Sequence, residues 1–516
     1  MSDQSHKALI SHALYSAAQM RELDRVVIEE FGVSGYELMQ RAGRFSYETL
    51  KKTWPETTNI IVICGCGNNA GDGYVLAKLA IQDGQDVTVV NCFDPDKLKG
   101  DAKTTYQDLL AVDHKTKFIL NVPEKNALTE IFYDVENNEA VVVDAIFGTG
   151  LTRNIDDDYL VNIIGLINFS FSYTLSVDIP SGLNADTGNV MNVAVNADVT
   201  ATFMGMKQGM LTIDGCEYSG QIVFDTLDIP SESYGEANCY TLSAFCSMYN
   251  ADFELRARKR NSHKGNFGHV LVIGGDEGYL GAARLAAEAA MRVGSGLVSV
   301  ATRKSHAAQL SSVIPEIMSH GVETLNELMP LIKRANVIAI GPGLGQSEWA
   351  KLLFARVLES DLPIIIDADA LNLLAEEQSS PNPEHWIITP HPGEAARLLK
   401  TGVATIQSDR FQSAKMLYEK YHGPVVLKGA GSIVIEPGEK PGVCSSGNPG
   451  MSTGGMGDVL TGVIAGLVAQ NIAHATMLGV EMHARAADMA ARKSGERGMM
   501  ATDLMPYLRE LSNPYL

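Results

Sequence analysis

The sequence predicts two α/β domains in tandem, each organised around a parallel sheet. Three observations lead there. Short β-branched runs such as IIVIC, at residues 60–64, alternate with helix-length segments. Most of these runs end in glycine, or in Asp followed closely by Gly. The chain has 516 residues, beyond the roughly 250–300 at which a single hydrophobic core stops growing.

The elements follow in order. Within the first 55 or so residues, Met20, Leu23, Val26, Val27 and Phe31 recur at three- to four-residue spacing, which makes one apolar helix face. From Asn59 the pattern changes to strand (IIVIC), glycine-rich loop, helix (Tyr74 to Gln82) and strand (DVTVVN), a βαβ unit. AVVVDAIFGTG and YTLSVDIPSG read as two further strands, and DVTATFMG and QIVFDTLDIP as two more. Residues 228–250 mix Pro, Ser, Gly and Asn without a clear period, so the boundary is placed there, dividing the chain into domains of residues 1–235 and 236–516. A second βα series begins beyond it, with GHVLVIGG, GLVSVAT, NVIAIGPG, PIIIDADAL, WIITPHPGE and PVVLKGAGSIVI as its strand-like runs. An Ala/Gly-rich helical region ends the series. No internal repeat is visible, so two different folds are expected.

Composition bounds the function. Hydrophobic residues make up 45% and charged residues 20%, which is ordinary globular usage. The net charge of −20 argues against nucleic acid and against an anionic membrane as partners. It leaves room for anionic small molecules in a local pocket. Seven cysteines without a CxxC fit reduced thiols in a cytosolic protein. The opening MSDQSHKALISHALYSAAQM lacks a basic start followed by an apolar core, so no signal peptide is expected. The longest apolar candidate, Val459 to Ala469, falls short of the ~18 residues of a membrane span and reads as a buried helix. A cytoplasmic homo-oligomer acting on small molecules is the expectation.

The first chemical signal is the run Gly65-Cys66-Gly67-Asn68-Asn69-Ala70-Gly71-Asp72-Gly73. Glycines let backbone approach a ligand, and the helix that follows offers N–H groups to an anion. The GxGxxxG spacing is not the dinucleotide fingerprint. A plain strand-to-helix turn has no need of three polar side chains, however. Asp144 precedes Phe147-Gly148-Thr149-Gly150, and Asp178 precedes Pro180-Ser181-Gly182. All three segments end strands and can converge where parallel sheets hold their ligands. Asn69, Asp144 and Ser181 would offer oxygen ligands to a hard cation. Each Asp alone could equally cap a helix; three such segments together favour a site.

GNNAGDGYVLAKLA, VDAIFGTGL and SVDIPSGLNADTG resemble the NAD(P)H-hydrate epimerases, over roughly residues 10–230. That resemblance implies a Rossmann-like three-layer domain and a potassium ion held by Asn69, Asp144 and Ser181. It also implies hydrate contacts from Asn68, Asn69, Ala70, Gly71 and Asp72, from Gly148, Thr149, Gly150, Leu151, Thr152, Arg153 and Asn154, and from Asp178, the candidate acid/base. The chemistry is reasonable: C6 of the hydrate is a hemiaminal carbon, and a positioned carboxylate assisting its proton transfer is worth ~10²–10⁴-fold.

The strongest motif of the second half is Ser452-Thr453-Gly454-Gly455-Met456-Gly457-Asp458, leading into VLTGVIAGLVAQ. Glycines at a helix start form an anion hole, and an Asp there can take the proton of a hydroxyl attacking phosphorus. Lys428-Gly429-Ala430-Gly431-Ser432 could grip a nucleotide or simply be a hairpin turn. Gly341-Pro342-Gly343-Leu344-Gly345 allows close approach of a substrate. His391, just past the strand WIIT, could hydrogen-bond one. The basic run Arg256, Arg258, Lys259, Arg260, His263 and Lys264 reads as a solvated face or a phosphate-steering arm.

SHKGNFGHVLVIGG, GPGLG, DADALNLL, TPHPGE, KGAGS and STGGMGDVLTG resemble the ribokinase-like superfamily, and within it the ADP-dependent NAD(P)H-hydrate dehydratases, over roughly residues 245–510. The resemblance implies a ribokinase-like α/β domain. Lys428, Gly429, Ala430, Gly431, Ser432 and Gly457 would bind the adenine nucleotide. Ala282, Gly343, His391 and Asp458 would contact the hydrate, with Asp458 catalytic and magnesium on the ADP phosphates. The two halves together imply a bifunctional repair enzyme: it epimerises NADHX and NADPHX and dehydrates the S form with ADP, giving AMP and phosphate. The competing readings are a ribokinase-like kinase of a small vitamin-precursor alcohol with a nucleotide-binding N-terminal domain, a non-catalytic nucleotide sensor, and an NAD-dependent dehydrogenase. The irregular loop spacing weakens the last.

Overall fold

A computed structural model describes residues 13–112, 117–122, 124, 131, 140–169, 173–236, 242–244, 255, 257–377 and 384–513. The chain divides into two compact units, Met1–Ser243 and Ala244–Leu516.

In the first unit, β1 (Ala13–Tyr15), α1 (Ala17–Glu29) and α2 (Gly35–Thr53) precede the sheet. The predicted apolar face of α1 is buried through Met20, Leu23, Val26 and Val27. The sheet contains β2 (Asn59–Cys64), β3 (Asp86–Asn91), β4 (Lys117–Asn121), β5 (Val141–Ala145), β6 (Tyr173–Val177), β7 (Val199–Phe203) and, after β8 (Met206–Lys207), β9 (Gln221–Asp225). Its order is β4-β3-β2-β5-β6-β7-β9, with every neighbouring pair parallel. This is the strand order of Rossmann-like sheets, as expected. Strands covered on both faces have no polar side, which is why β2 and β5 read as continuous apolar runs.

Direction of travel reverses between β2 and β5, so a crevice opens at the carboxyl ends of those two strands. Register sharpens it: Ile63 pairs with Asp144, and Asp144 in turn with Ser176 of β6.

The helix after β2 is longer than the sequence predicts. This α3 runs from Asn68 to Gln82, so the loop is only Gly65–Gly67. Glycines at 71 and 73 read as helix-poor, yet they serve packing. A Cβ at Gly73 would lie 2.7 Å from the Ala145 Cβ, and one at Gly71 would strike Met39. Three short strands escape the periodicity altogether. Leu14 of β1 pairs with Met206 of β8 and with Leu242 of β10 (Leu242–Ala244), and segments so short carry no measurable alternation.

The second unit repeats the opening order. Its sheet reads β13 (Met318–Gly321), β12 (Leu297–Thr302), β11 (His269–Ile273), β14 (Val337–Ile340), β15 (Ile364–Ile366), β16 (Trp386–Ile388) and β17 (Val425–Leu427), all parallel. It then departs: β18 (Ser432–Ile435) and β19 (Gly442–Cys444) each run antiparallel to the strand before. PVVLKGAGSIVI is therefore two strands and a hairpin. Helices that matter below are α4 (Leu280–Arg292), α5 (Ala368–Glu376), α6 (Pro392–Leu398), α7 (Met456–Ala469) and α8 (Ala475–Ser494).

The glycines of α7 explain how it is held. A Cβ on Gly462 would overlap the Ala286 carbonyl, and one on Gly466 would stand 2.9 Å from the Ala290 carbonyl oxygen. An alanine-rich α4 and a glycine-rich α7 thus pack backbone to backbone, which fixes the first turn of α7, where Asp458 sits. Among the described residues no helix is long and apolar enough to cross a membrane. Cys64, Cys66 and Cys92 are free thiols; Cys239, Cys246 and Arg256 lie outside the described residues.

Candidate active sites

In the first unit the three strand ends converge. Asp144 is fully buried, and its carboxylate accepts four hydrogen bonds. Oδ1 takes the Ser181 hydroxyl at 2.5 Å and the Ile146 N–H at 3.3 Å. Oδ2 takes the Ser181 N–H at 2.8 Å and the Ser176 hydroxyl at 2.9 Å. Burial raises its proton affinity, and these donors pull it back. Ser181 Oγ accepts from the Phe147 N–H at 2.8 Å, and the Asn69 amide donates to the Phe147 carbonyl at 3.0 Å. Asn69 Oδ1 is buried without a hydrogen-bond partner. Asn69, Asp144 and Ser181 therefore gather around the Phe147 peptide, with one orphaned oxygen among them.

Asp178 closes the other side. It takes φ +70°, a left-handed turn at the end of β6. A Cβ on Gly148 would stand 3.4 Å from its Oδ2 and 3.5 Å from the Asn69 Cβ, so nothing larger than glycine separates the two. The remaining predicted hydrate residues are mixed. Asp72 is buried in α3. Ala70 is fully buried in one core cluster, so only its backbone can face a ligand, and Leu151 packs, half-buried, against another. Asn68, Gly150, Thr152, Arg153 and Asn154 are exposed, and Thr149 is half-buried. Of the loop glycines, Gly65 packs against the Ile146 carbonyl and Gly67 alone faces open space.

Sequence reasoning missed two residues here. The Lys207 side chain is buried, and its ammonium pairs with Asp178 Oδ1 while also donating to Thr202 Oγ1 at 2.9 Å and the Phe203 carbonyl at 3.2 Å. Asp24 of α1 stands near the same pair. Its carboxyl is pushed up to about 6 by burial and by the Asp178 charge, against the pull of Lys207. The same causes, with Asp24 added, raise Asp72 well above the carboxylate range. The available signal was a lysine inside the otherwise apolar stretch TATFMGMK.

In the second unit Asp458 lies in the first turn of α7, whose N-cap Gly455 takes φ +93°. Burial and the charge of Asp367 push its carboxyl up to about 7, although Lys428 opposes them. The Lys428 ammonium is 2.6 Å from Asp367 Oδ1 and 3.7 Å from Glu394 Oε2. Asp367 also accepts from the Thr461 hydroxyl at 2.7 Å. A Cβ on Gly457 would stand 3.4 Å from the Lys428 ammonium, so Gly457, Lys428 and Asp458 form one cluster. Glu394 is likewise raised to about 7, by burial first and Asp367 second, against Lys428. Burial alone would lower Lys428, but Asp367 and Glu394 outweigh it. Asp367, Glu394 and Thr461 were not singled out in the sequence, where each reads as a helix start or a buried Thr.

Lys428 to Ser432 form the β17–β18 hairpin, with Gly429 and Ala430 exposed and Ser432 Oγ donating to the Gly429 carbonyl at 3.0 Å. Buried Arg410 donates to the carbonyls of Leu427, Lys428 and Gly431, which fixes the turn. A Cβ on Gly343 would stand 3.2 Å from the Ala282 Cβ, so those two predicted contacts are neighbours. His391 caps α6: its Nδ1 accepts the Gly393 N–H at 2.9 Å, and Nε2 lies 3.4 Å from Glu394 Oε1. That leaves only the Nε2 side for a ligand. Behind the start of α7, His483 is held neutral by burial, its value pushed down to about 4.

Two family models match the chain: NAD(P)H-hydrate dehydratase over residues 270–510 and YjeF-related protein N-terminus over residues 35–209. The bifunctional NAD(P)H-hydrate repair enzyme Nnr of Coxiella burnetii is 47% identical over 503 residues, 97% of this chain and 99% of that protein. Its counterpart in Escherichia coli is 39% identical, covering 98% of this chain and 95% of the relative. A solved ADP/ATP-dependent NAD(P)H-hydrate dehydratase from Bacillus subtilis, co-crystallised with ATP/Mg2+, is 29% identical over 50% of this chain and 94% of that one, with a TM-score of 0.46.

Proposed function

Since the chain belongs to the family of bifunctional NAD(P)H-hydrate repair enzymes, we propose that residues 1–235 epimerise the hydrates of NADH and NADPH at C6, and that residues 236–516, with the ribokinase-like fold, dehydrate the S form at the expense of ADP. The observation that carries this reading is the same in both units: a largely buried carboxylate paired with a lysine at the strand ends, beside a second carboxyl whose proton affinity is raised by burial and by that carboxylate's charge.

In the first unit Asp178, paired with the Lys207 ammonium, takes the C6 hydroxyl proton as the C6–N1 bond breaks and the ring opens to an aldehyde, and returns it when the ring nitrogen re-adds to the other face of that carbon. Asp72, its proton affinity raised by burial and by the Asp178 charge, is the matching donor to the ring nitrogen as that bond breaks. Asn69, Asp144 and Ser181 would hold a potassium ion, and the orphaned, buried Asn69 Oδ1 beside the Asp144 carboxylate fits a hard cation. When bound, that ion supplies positive charge next to the hydroxyl being deprotonated. Backbone from Asn68 to Asp72 and from Gly148 to Asn154 borders the hydrate.

In the second unit Asp458 accepts the C6 hydroxyl proton as that oxygen attacks the terminal phosphorus of ADP and AMP departs. The C6–O bond of the phosphate ester then breaks, pushed by the ring nitrogen lone pair, and loss of a proton from C5 restores the dihydropyridine. Lys428 and the N–H groups about Gly457 meet the developing phosphate charge. Residues 429–432 of the hairpin border the nucleotide, and Ala282, Gly343 and His391 the hydrate. Magnesium would sit on the ADP phosphates, where phosphate oxygens and water are the ligands it favours. A cytoplasmic homo-oligomer completes the proposal.

The test is incubation of purified protein with mixed NADH hydrate epimers and ADP, following return of the NADH absorbance band. Full recovery supports both activities. Recovery of one epimer's share refutes the first, and no recovery refutes the second.

A further inference from the structure

The hydrate is a dinucleotide, yet the residues gathered at Asp458 account only for its reacting ring. A cleft of about 540 Å³ lies beside them, lined by Gln346, Asn372, Ala375, Glu376 and Arg397. That volume falls in the range of small-molecule sites. Resting on the function proposed above, we propose that this cleft seats the distal, adenine-bearing nucleotide of the hydrate.

Three connections join the cleft to the reacting centre. Gln346 follows Gly345, whose N–H donates to Asp369 Oδ2 at 2.8 Å, and the Asp369 charge acts on Asp458. Asn372, Ala375 and Glu376 recur at three- and four-residue spacing along α5, so the cleft runs one to two helical turns away from Asp369. Arg397 belongs to α6, the helix capped by His391, and its charge is felt by both His391 and Glu394.

The lining suits a nucleotide. Arg397 Nε donates to Asn372 Oδ1 at 2.7 Å, which aligns the guanidinium. Among the described residues it makes no ion pair, so its terminal amino groups are placed for a phosphate oxygen. Gln346 offers an amide to the base, and Glu376 an acceptor for ribose hydroxyls. Sheet order assigns the cleft to the hydrate rather than to ADP. Its walls follow β14, β15 and β16, as do Gly343 and His391, whereas the 428–432 hairpin follows β17, beyond them.

Dehydratase kinetics with two substrates test this: NADH hydrate, and the hydrate of reduced nicotinamide mononucleotide, which lacks the adenine nucleotide. For the unmodified protein KM should be at least about tenfold higher for the truncated hydrate. Arg397→Ala, and separately Gln346→Ala, should raise KM for NADH hydrate several-fold and narrow that gap, with KM for ADP unmoved. Equal KM values for the two hydrates in the unmodified protein overturn the inference. So does an Arg397→Ala effect of equal size on both hydrates, or one confined to ADP. If the unmodified protein dehydrates neither substrate, the proposed function itself fails instead.

Discussion

Replacing Asp458 by Asn separates function from stability in a way the structure quantifies. The carboxyl is pushed up to about 7 by burial and by Asp367, against about 4 for an ordinary Asp. Three units at 1.36 kcal/mol each correspond to a ceiling of about 4 kcal/mol. The sign follows from the raised value. Between pH 4 and 7 the folded chain binds the extra proton and the unfolded chain does not, so stability falls as pH rises through that window. Ionised Asp458 is thus a cost to the fold, carried above pH 7 for catalysis. Asn removes the cost and keeps the shape.

Asp458→Asn should therefore abolish dehydration while epimerisation persists. It should also melt higher than the unmodified protein at pH 8, by several degrees, because each kcal/mol moves Tm by about 2–4 °C in a domain of this size. At pH 4 the two should melt together. Differential scanning calorimetry at both pH values, alongside NADH recovery and separate quantification of R and S hydrate, provides the readouts. A variant that still dehydrates, or that melts no higher at pH 8, would refute the assignment of a high-affinity proton to this carboxylate.

Three other outcomes are expected. Lys207→Met leaves Asp178, largely buried, without its cation, so R hydrate should be consumed about 10²-fold more slowly. The first unit should lose about 3–5 kcal/mol, while dehydration of pure S hydrate continues. Asn69→Leu removes the orphaned oxygen, so epimerisation should no longer respond to potassium when it is titrated against choline at constant ionic strength. Gly462→Ala drives a methyl into the Ala286 carbonyl; urea melts should show a loss of about 1–3 kcal/mol in the second unit.

Much of this was legible in the chain. Buried parallel strands betray themselves as unbroken β-branched runs, so the long strands of both sheets and the Asp144, Asp178 and Asp458 segments could be read directly. What stayed hidden depends on contacts distant in sequence. Lys207 and Asp178 are 29 residues apart, and Lys428 and Asp367 are 61; no local pattern joins them. Glycines misled in one respect. Gly71 and Gly73 signal a ligand loop by composition, but their missing Cβ atoms admit Met39 and Ala145. The hairpin at 428–432 was ambiguous because two antiparallel strands and one interrupted strand share the same composition.

Both units solve one electrostatic problem in one way. A carboxylic acid deep in a protein can work at neutral pH only if its proton affinity is brought there, and burial is one means of doing so. Here a second carboxylate, paired with a lysine, adds a negative charge: Asp178 on Lys207 raises Asp24 and Asp72, and Asp367 on Lys428 raises Asp458. The lysine pulls the other way, so the pair sets the working value by difference. Asp367→Asn removes the raising charge and leaves the Lys428 ammonium less neutralised; both changes lower Asp458. The acid limb of the dehydratase pH profile should then move to lower pH, while its plateau falls because Lys428 loses its 2.6 Å partner. A limb that stays in place or moves up would mean that burial alone sets the proton affinity of Asp458, and that the lysine-bound carboxylate serves only to position Lys428.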